Sequence, residues 1–213
     1  MIENYSIDQY GIIHQNVCQP FTYNREYVDV RYSNLKLLTD EMAHLRLGYI
    51  IGGIGRVPTS VLDVGYGTGE FLKACTRIVN KCSGHDLFTD LIPEGCNFVN
   101  DITVQYYDVI TFFDSLEHYP NIDFINQLQC NYVIISLPWC HNFDDDWFKN
   151  WKHRRPDEHL HHFNLNSLEK FMASNGFSIV SHSNVEDIIR KSSLLYPNIL
   201  TAIFKKEQSN DQV

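Results

Sequence analysis

Histidines that could accept a proton are concentrated in one stretch of the chain. Residues 139–164 contain five of the ten histidines and all three tryptophans. Histidine is the side chain that most readily exchanges a proton near neutral pH, and flat aromatic rings are common walls of small-molecule sites. The stretch therefore predicts a substrate pocket in which a hydroxyl could lose its proton, with His159 or His162 favoured as the base. His118, which lies outside the stretch, is a further candidate.

The same stretch allows two other interpretations. His159, His161 and His162, together with the acidic run 144–146, offer nitrogen and oxygen ligands for a metal ion. The histidines could instead bond structural carboxylates such as Asp157 or Glu158. We expect no metal in this group. A local basic patch could receive a carboxylate or phosphate of the substrate or could simply be solvated; it consists of Lys149, Lys152, Arg154 and Arg155.

A second feature, the alternate glycines Gly65, Gly67 and Gly69, indicates ligand binding by the backbone. They follow the apolar run 61–64, which is long enough for a buried strand, and precede residues 70–79, whose apolar positions recur at helical spacing. Glycine lets the chain turn sharply and lets a ligand approach without meeting a Cβ. Strand, glycine turn and helix together predict the ligand-binding first unit of a doubly wound α/β domain.

The spacing of these glycines separates two families. The dinucleotide fingerprint is G-x-G-x-x-G, whereas this chain has G-x-G-x-G preceded by Asp63 in the strand. The sequence D-V-G-Y-G-T-G-E-F-L at 63–72 resembles motif I of the class I S-adenosylmethionine (SAM)-dependent methyltransferases. The family usually has Cys or Ser where this chain has Tyr66, which puts a bulky ring at the loop tip and could change how the methionine end is covered.

A second segment supports the resemblance. D-V-I-T-F-F-D-S-L-E-H at 108–118 resembles the family's fourth strand and the segment after it, which often ends V-L-E-H. The resemblance covers residues 60–138. Within the family, the chain is similar to the small-molecule O-methyltransferases of the ubiquinone-biosynthesis type. It implies a single Rossmann-like α/β domain over 1–213, with a seven-stranded, mostly parallel sheet, one antiparallel strand near the C-terminus and helices on both faces. Residues 1–57 would form a cap or lid, and 139–164 the substrate-pocket insertion.

The resemblance also assigns binding roles. An acid at the end of the second strand is placed to accept the ribose hydroxyls, and Asp86 stands there. SAM would be the methyl donor and S-adenosylhomocysteine (SAH) the product. The implied contacts are Asp63, Gly65, Gly67 and Gly69 at the methionine part, Arg31 at its carboxylate, Asp86 at the ribose, Asp101 and Ile102 at the adenine, and Phe113 in the pocket wall. Tyr23 and Tyr32 could face the cofactor together with Arg31, or all three could be exposed or packed at the edge of the core.

Patterning of the remaining chain predicts the elements that position these residues. A helix is expected from about Asn24 to about residue 51, ended by Gly52, Gly53 and Gly55, after an irregular or strand-like segment at 1–22. Apolar runs predict strands at 61–64, 81–86, 97–102, 106–113, 131–137, 177–182 and 197–205, with further helices at 70–79, 122–128, 164–174 and 185–191.

Composition limits the partners. The 213 residues carry a net charge of −9, which disfavours nucleic acid because phosphate contacts need clustered Lys and Arg. No apolar run reaches the roughly 18–20 residues of a membrane span, and the N-terminus does not have the pattern of a signal peptide. Scattered cysteines predict free thiols in the cytoplasm.

We expect a monomer or homodimer that methylates a hydroxyl of a small molecule. The alternatives are N-methylation, a non-catalytic SAM-binding module and a nicotinamide-dependent oxidoreductase.

Overall fold

The computed structural model describes residues 2–19, 36–87, 92–190 and 195–208. Arg31, Tyr23, Tyr32 and the helix start predicted near Asn24 lie outside these residues. The helices are α1 (Lys36–Ile54), α2 (Glu70–Cys75), α3 (Asp145–Asn150), α4 (Leu165–Ser174) and α5 (Asp187–Arg190), and 3-10 turns cover Leu116–His118 and Asp123–Gln127. The strands are β1 (Tyr5–Ile7), β2 (Ile13–Gln15), β3 (Ser60–Val64), β4 (Lys81–His85), β5 (Cys96–Phe98), β6 (Tyr107–Phe113), β7 (Cys130–Pro138), β8 (His161–His162), β9 (Phe177–Ser183) and β10 (Ile199–Lys206).

Seven of these strands form one sheet in the order β5-β4-β3-β6-β7-β10-β9. β10 is antiparallel to both of its neighbours, and the pairs from β5 to β7 are parallel. The predicted fold class, a mostly parallel seven-stranded sheet with one antiparallel strand, is confirmed. Because the chain reverses its direction of winding between β3 and β6, the crevice at their carboxyl ends is where such a fold binds ligands.

Both faces of the sheet are covered, because neighbouring residues of a strand point to opposite sides. On one face Leu62 packs in a cluster that includes Leu168 and Met172 of α4. On the other face Val61 packs with Leu47 of α1 and Leu72 of α2. Burial of these apolar side chains on the two faces fixes the register of the sheet and therefore the position of its carboxyl edge.

Helix α1 corrects one expectation. Gly52 and Gly53 lie inside the helix rather than ending it. A Cβ on Gly53 would lie 2.1 Å from Cδ1 of Ile203 in β10, so the glycine lets the helix approach the sheet closely. The helix ends at Ile54, and Gly55 follows with a φ of +75°, the left-handed conformation typical of a residue after a helix. Helix α2 is likewise shorter than the predicted 70–79, because the chain turns after Cys75 to enter β4.

A second, three-stranded sheet was not predicted. The N-terminal hairpin of β1 and β2 pairs with β8, so that Ile13 lies opposite His162 and His14 opposite His161. This pairing holds the insertion 139–164 against the N-terminal segment. No helix in the described part of the chain has the length and apolarity that a membrane crossing requires.

Candidate functional site

The glycine turn between β3 and α2 is a tight backbone cradle. Gly65, Gly67 and Gly69 have φ values of +82°, +53° and +75°, which side chains rarely adopt. A Cβ on Gly65 would lie 2.6 Å from Cβ of Ser115, and one on Gly69 would lie 2.4 Å from Cγ of Pro93. The turn is thus closed on the protein side at Gly65 and Gly69, where a side chain has no room.

Asp86, directly after β4, is tied to this turn. Its Oδ2 accepts a hydrogen bond of 3.0 Å from the backbone N–H of Gly67. The N–H of Gly65 donates to the carbonyl of His85 at 2.7 Å. The end of β4 and the glycine turn therefore form one rim, and the predicted ribose-binding carboxylate stands on it.

Tyr66 differs from expectation. Its ring is buried in the cluster beneath the turn, with 5% of the residue exposed, and does not lie at the loop tip. Gly84 of β4 makes the space, since a Cβ there would lie 2.5 Å from Cδ1 of Tyr66. The large residue at this position of the motif therefore acts on the core, and Gly84 is the signal in the sequence that could have indicated it.

Asp63 lies within the sheet. Its Oδ1 accepts a hydrogen bond of 2.7 Å from Oγ1 of Thr111, its partner in β6. Burial raises the pKa of Asp63 to about 6, although the Thr111 hydroxyl and the charge of Arg46 act in the opposite direction. This carboxyl is thus buried in β3, two residues before Gly65.

The other predicted binding residues reach the same edge of the sheet from neighbouring strands. Phe113 ends β6, and its ring centroid lies 4.9 Å from that of Phe71. Asp101 follows β5 and is exposed, while Ile102 is buried. Oδ1 of Asp101 accepts from the hydroxyl and the N–H of Thr103 at 2.7 and 2.9 Å, which lowers the pKa of the carboxyl.

A group of four charges around the buried Glu186, beside this edge, was missed from the sequence. Nε of Arg46 lies 2.7 Å from Oε1 of Glu186, and its Nη2 lies 3.0 Å from Oδ2 of Asp114. Arg190 bonds both acids as well. The guanidinium of Arg46 also lies 4.2 Å from the centroid of the Phe113 ring. The group ties α1, the end of β6 and α5 together, and partners so distant in sequence leave no local pattern.

The structure brings two of the three predicted catalytic histidines together. The ring centroids of His118 and His159 are 4.7 Å apart, edge to face. His162 instead packs among the rings of Tyr5, Phe148 and Trp151, and its Nδ1 lies 3.3 Å from the carbonyl oxygen of Ile13. Burial is the main reason why the pKa of His159 is lowered to about 2 and that of His162 to about 3. Both rings are therefore neutral and weakly basic. Their role as general bases stays a prediction.

The metal ligand set considered for 139–164 does not converge in the structure. Nδ1 of His161 lies 2.7 Å from Nδ1 of His14, and its Nε2 bonds the carbonyl of Tyr119. Oδ1 of Asp144 accepts from the N–H of Trp147 as the N-cap of α3. Adjacent residues of β8 point to opposite sides, which separates His161 from His162.

The basic patch and the aromatic residues of 139–164 are partly used within the protein. Lys149 lies 3.7 Å from Asp146, and Arg155 lies 2.9 Å from Glu158. The His141 ring is stacked between Trp139 and Phe143, with centroid distances of 5.5 and 5.4 Å. Phe143 is 60% exposed, so this stack presents an apolar surface to solvent.

Comparison with known proteins gives one family and several similar folds. A family model described as a methyltransferase domain matches residues 36–182. No curated protein matches the chain. The chain is similar to the 1,6-didemethyltoxoflavin-N1-methyltransferase of Burkholderia thailandensis, solved with 1,6-didemethyltoxoflavin and SAH, at 18% identity and a TM-score of 0.59, over 96% of this chain and 100% of that one.

Two further solved structures show the same fold. The plantazolicin methyltransferase, in complex with a triazolic desmethylPZN analogue and SAH, has 16% identity and a TM-score of 0.59 over 86% of this chain and 91% of that one. The magnesium protoporphyrin IX methyltransferase of Synechocystis PCC 6803, with bound SAH, has 16% identity and a TM-score of 0.56 over 89% of this chain and 90% of that one. At these identities the likeness concerns the fold.

Proposed function

Because the chain belongs to the class I SAM-dependent methyltransferases, we propose that it transfers the methyl group of SAM to a hydroxyl oxygen of a small molecule. The observation that carries the proposal is the rim formed by the glycine turn and Asp86, whose Oδ2 accepts from Gly67 N–H at the carboxyl edge of the sheet. The structural neighbours that act on a toxoflavin precursor and on magnesium protoporphyrin IX support a small acceptor.

The residues at this rim fit SAM. The turn has no room for side chains at Gly65 and Gly69, so a ligand can lie directly on the backbone. In this proposal the Asp86 carboxylate accepts from the ribose hydroxyls, Asp101 and Ile102 lie beside the adenine, and Phe113 supplies an apolar wall. When bound, SAM supplies a methyl group on a positively charged sulfur, which is a good leaving group. The protein must then chiefly align the acceptor with that methyl group.

A hydroxyl acceptor must lose its proton, and we propose that the pair His118 and His159, which meet beside Glu117, promotes this loss. Glu117 and His118 lie on the 3-10 turn Leu116–His118, which follows Phe113 by three residues. This turn lies at the end of β6, next to the proposed methyl position. His162 is a weaker candidate because aromatic rings surround it.

N-methylation is the second candidate for the reaction. The toxoflavin-precursor enzyme, which shares the fold over 96% of this chain, is an N1-methyltransferase. A ring nitrogen with a lone pair needs no base before attack, so N-methylation would not depend on the histidines.

We expect Asp86→Ala to weaken SAM binding by about 1–3 kcal/mol, that is about 5–150-fold, because charge-assisted hydrogen bonds to the ribose and to the Gly67 N–H are lost. Isothermal titration calorimetry with SAM, SAH and NAD measures this effect. Asp40→Ala, which removes an exposed carboxylate of α1, is the control and should bind SAM as the wild type does. Unchanged affinity in Asp86→Ala, or NAD binding without SAM binding, would refute the assignment.

The acceptor is tested by incubating the protein with methyl-labelled SAM and a fractionated metabolite extract. We expect label in a small O-methylated compound, with the linkage read by NMR of the product. His118→Ala and His159→Ala should lose turnover and keep SAM binding. Label found only in protein or nucleic acid would overturn the small-molecule acceptor, and an N-linked product would select the second candidate. SAM binding without transfer to any fraction would favour a non-catalytic module.

A further inference from the structure

Three potential metal ligands meet beside the end of β6. Among the described residues, Glu117, His118 and His159 each offer a ligand atom, and these atoms lie within 4.8 Å of one another. Nε2 of His118 is 3.8 Å from Oε1 of Glu117. The side chains of Glu117 and His159 are 2% and 4% exposed, so the group lies inside the protein and is not a solvated surface cluster.

Backbone contacts fix which nitrogen of each ring faces this group. Nδ1 of His118 lies 2.8 Å from the carbonyl oxygen of Glu158, and Nδ1 of His159 lies 2.8 Å from that of His153. A carbonyl only accepts, so both Nδ1 atoms carry the hydrogen and both Nε2 atoms carry the lone pair. Histidines that bind metals almost always donate their other N–H in this way. The two rings therefore have the tautomer and orientation of metal ligands.

The segments that carry the three ligands are joined rigidly. The N–H of Leu160 donates to the carbonyl of Glu117 at 2.8 Å, and the His118–Glu158 hydrogen bond forms a second link. Glu158, the other nearby acid, is paired with Arg155 at 2.9 Å, and its Oε1 also lies 3.8 Å from Nε2 of His159. Two imidazole nitrogens and the Glu117 carboxylate thus lie within 4.8 Å of one another. A divalent cation between them would be attracted by all three.

We propose that Glu117, His118 and His159 form a binding site for one divalent first-row transition-metal ion. Two imidazoles and one carboxylate suit zinc and similar ions, and three protein ligands leave open positions for a substrate. The site differs from the set of 139–164, because two of its three ligands come from the turn after β6.

The role of this ion rests on the proposed function. A cation lowers the pKa of a hydroxyl that contacts it. With the ion bound, His118 and His159 would therefore promote loss of the hydroxyl proton as metal ligands and not as general bases. With more than one open position, the site would prefer an acceptor with two adjacent oxygens, such as a vicinal diol. In the transfer, the O–H proton passes to solvent and an oxygen electron pair forms the C–O bond. The C–S bond breaks, and its electron pair stays on sulfur to give neutral SAH.

Metal binding is tested on the full chain after treatment with a chelator and dialysis. Co²⁺ is titrated and followed by its visible absorption, and Zn²⁺ by calorimetry and by competition with Co²⁺. We expect one ion per chain, a rise in melting temperature with Zn²⁺ and at least about tenfold weaker binding in His159→Ala and Glu117→Gln. His44→Gln, which removes a half-exposed imidazole of α1, is the control and should bind as the wild type does.

His118→Gln keeps the test decisive if the more buried variants fail to fold. A wild-type protein that binds neither Co²⁺ nor Zn²⁺, or a folded His118→Gln that binds both ions unchanged, would overturn the site. SAM calorimetry and methyl transfer are measured separately on the same chelator-treated protein. Metal binding in a protein that does not bind SAM would refute the proposed function and leave the metal site standing, whereas full methyl transfer without metal would refute the role of the ion.

Discussion

Replacement of Gly65 by alanine is expected to lower the free energy of unfolding by about 2–5 kcal/mol and to abolish SAM binding. The residue has a φ of +82°, and the new Cβ would lie 2.6 Å from Cβ of Ser115. Ser115 cannot yield by rotating its side chain, because a Cβ is fixed by the backbone, and its hydroxyl is bonded to the carbonyl of Val64 at 2.6 Å. The turn itself must therefore move, and with it the surface proposed to hold SAM.

Substitutions at two other glycines distinguish the cost of a left-handed backbone from the cost of a steric clash. Gly55 and Gly176 have φ values of +75° and +80°, and a Cβ on either would meet nothing within 4 Å. Gly55→Ala and Gly176→Ala should each cost about 1–2 kcal/mol, from the left-handed conformation alone, and leave SAM binding intact. Urea denaturation and calorimetry measure both quantities. A Gly65→Ala protein that is as stable as Gly55→Ala and still binds SAM would show that the turn is not closed by Ser115.

The parts of the fold that could be predicted from sequence are those with a local pattern. The buried strands β3, β6 and β7 are continuous apolar runs, and the glycines that follow β3 need a conformation that few other residues adopt. The order of these strands along the chain, together with the resemblance of two segments to one family, was enough to predict the sheet. Asn164 and Asn166 were both suitable caps for the predicted helix 164–174, and it is Asn164 whose side chain accepts from the N–H of Ser167.

Features that depend on partners distant in sequence could not be predicted. Gly53 looks like a helix stop in the sequence, yet its lack of a side chain serves the contact with Ile203, 150 residues later. The hairpin of β1 and β2 gains a third strand only because β8 comes back to it. Tyr66 turns inward because Gly84, on the neighbouring strand, leaves room.

The candidate site shows the same division. Asp86 and Phe113, at the ends of β4 and β6, could be placed from the strand pattern, whereas β5 ends at Phe98, three residues before Asp101, and is shorter than the predicted strand 97–102. The meeting of His159 with His118 depends on how the insertion folds back over the turn after β6, which the histidine spacing does not reveal. Arg46 was assigned no role, because its partners Asp114 and Glu186 are contributed by other elements.

Arg46→Met is expected to destabilise the protein by about 3–5 kcal/mol, towards the lower end because Arg190 still pairs both acids. Glu186 has no exposed surface, so loss of one arginine leaves part of a buried negative charge uncompensated. Lys73→Met, which breaks a half-exposed pair with Glu70 at 2.7 Å, is the matched control and should cost less than about 1 kcal/mol. Urea denaturation at neutral pH gives both values.

A double variant and an acid titration test whether Arg46 stabilises the protein through its charge. Burial alone would raise the pKa of Glu186, but Arg46 and Arg190 outweigh it and hold the pKa below its usual range. A carboxylate with a lowered pKa stabilises the fold above its unfolded pKa of about 4 and loses this contribution as the pH falls. The stability difference between wild type and Arg46→Met should therefore shrink on acidification below about pH 4.

The double variant Arg46→Met/Glu186→Leu should lose less stability than the sum of the two single variants, because it removes the charge together with its partner. Additive costs, or a difference that does not change with pH, would show that Arg46 contributes by packing on Phe113 and not by charge.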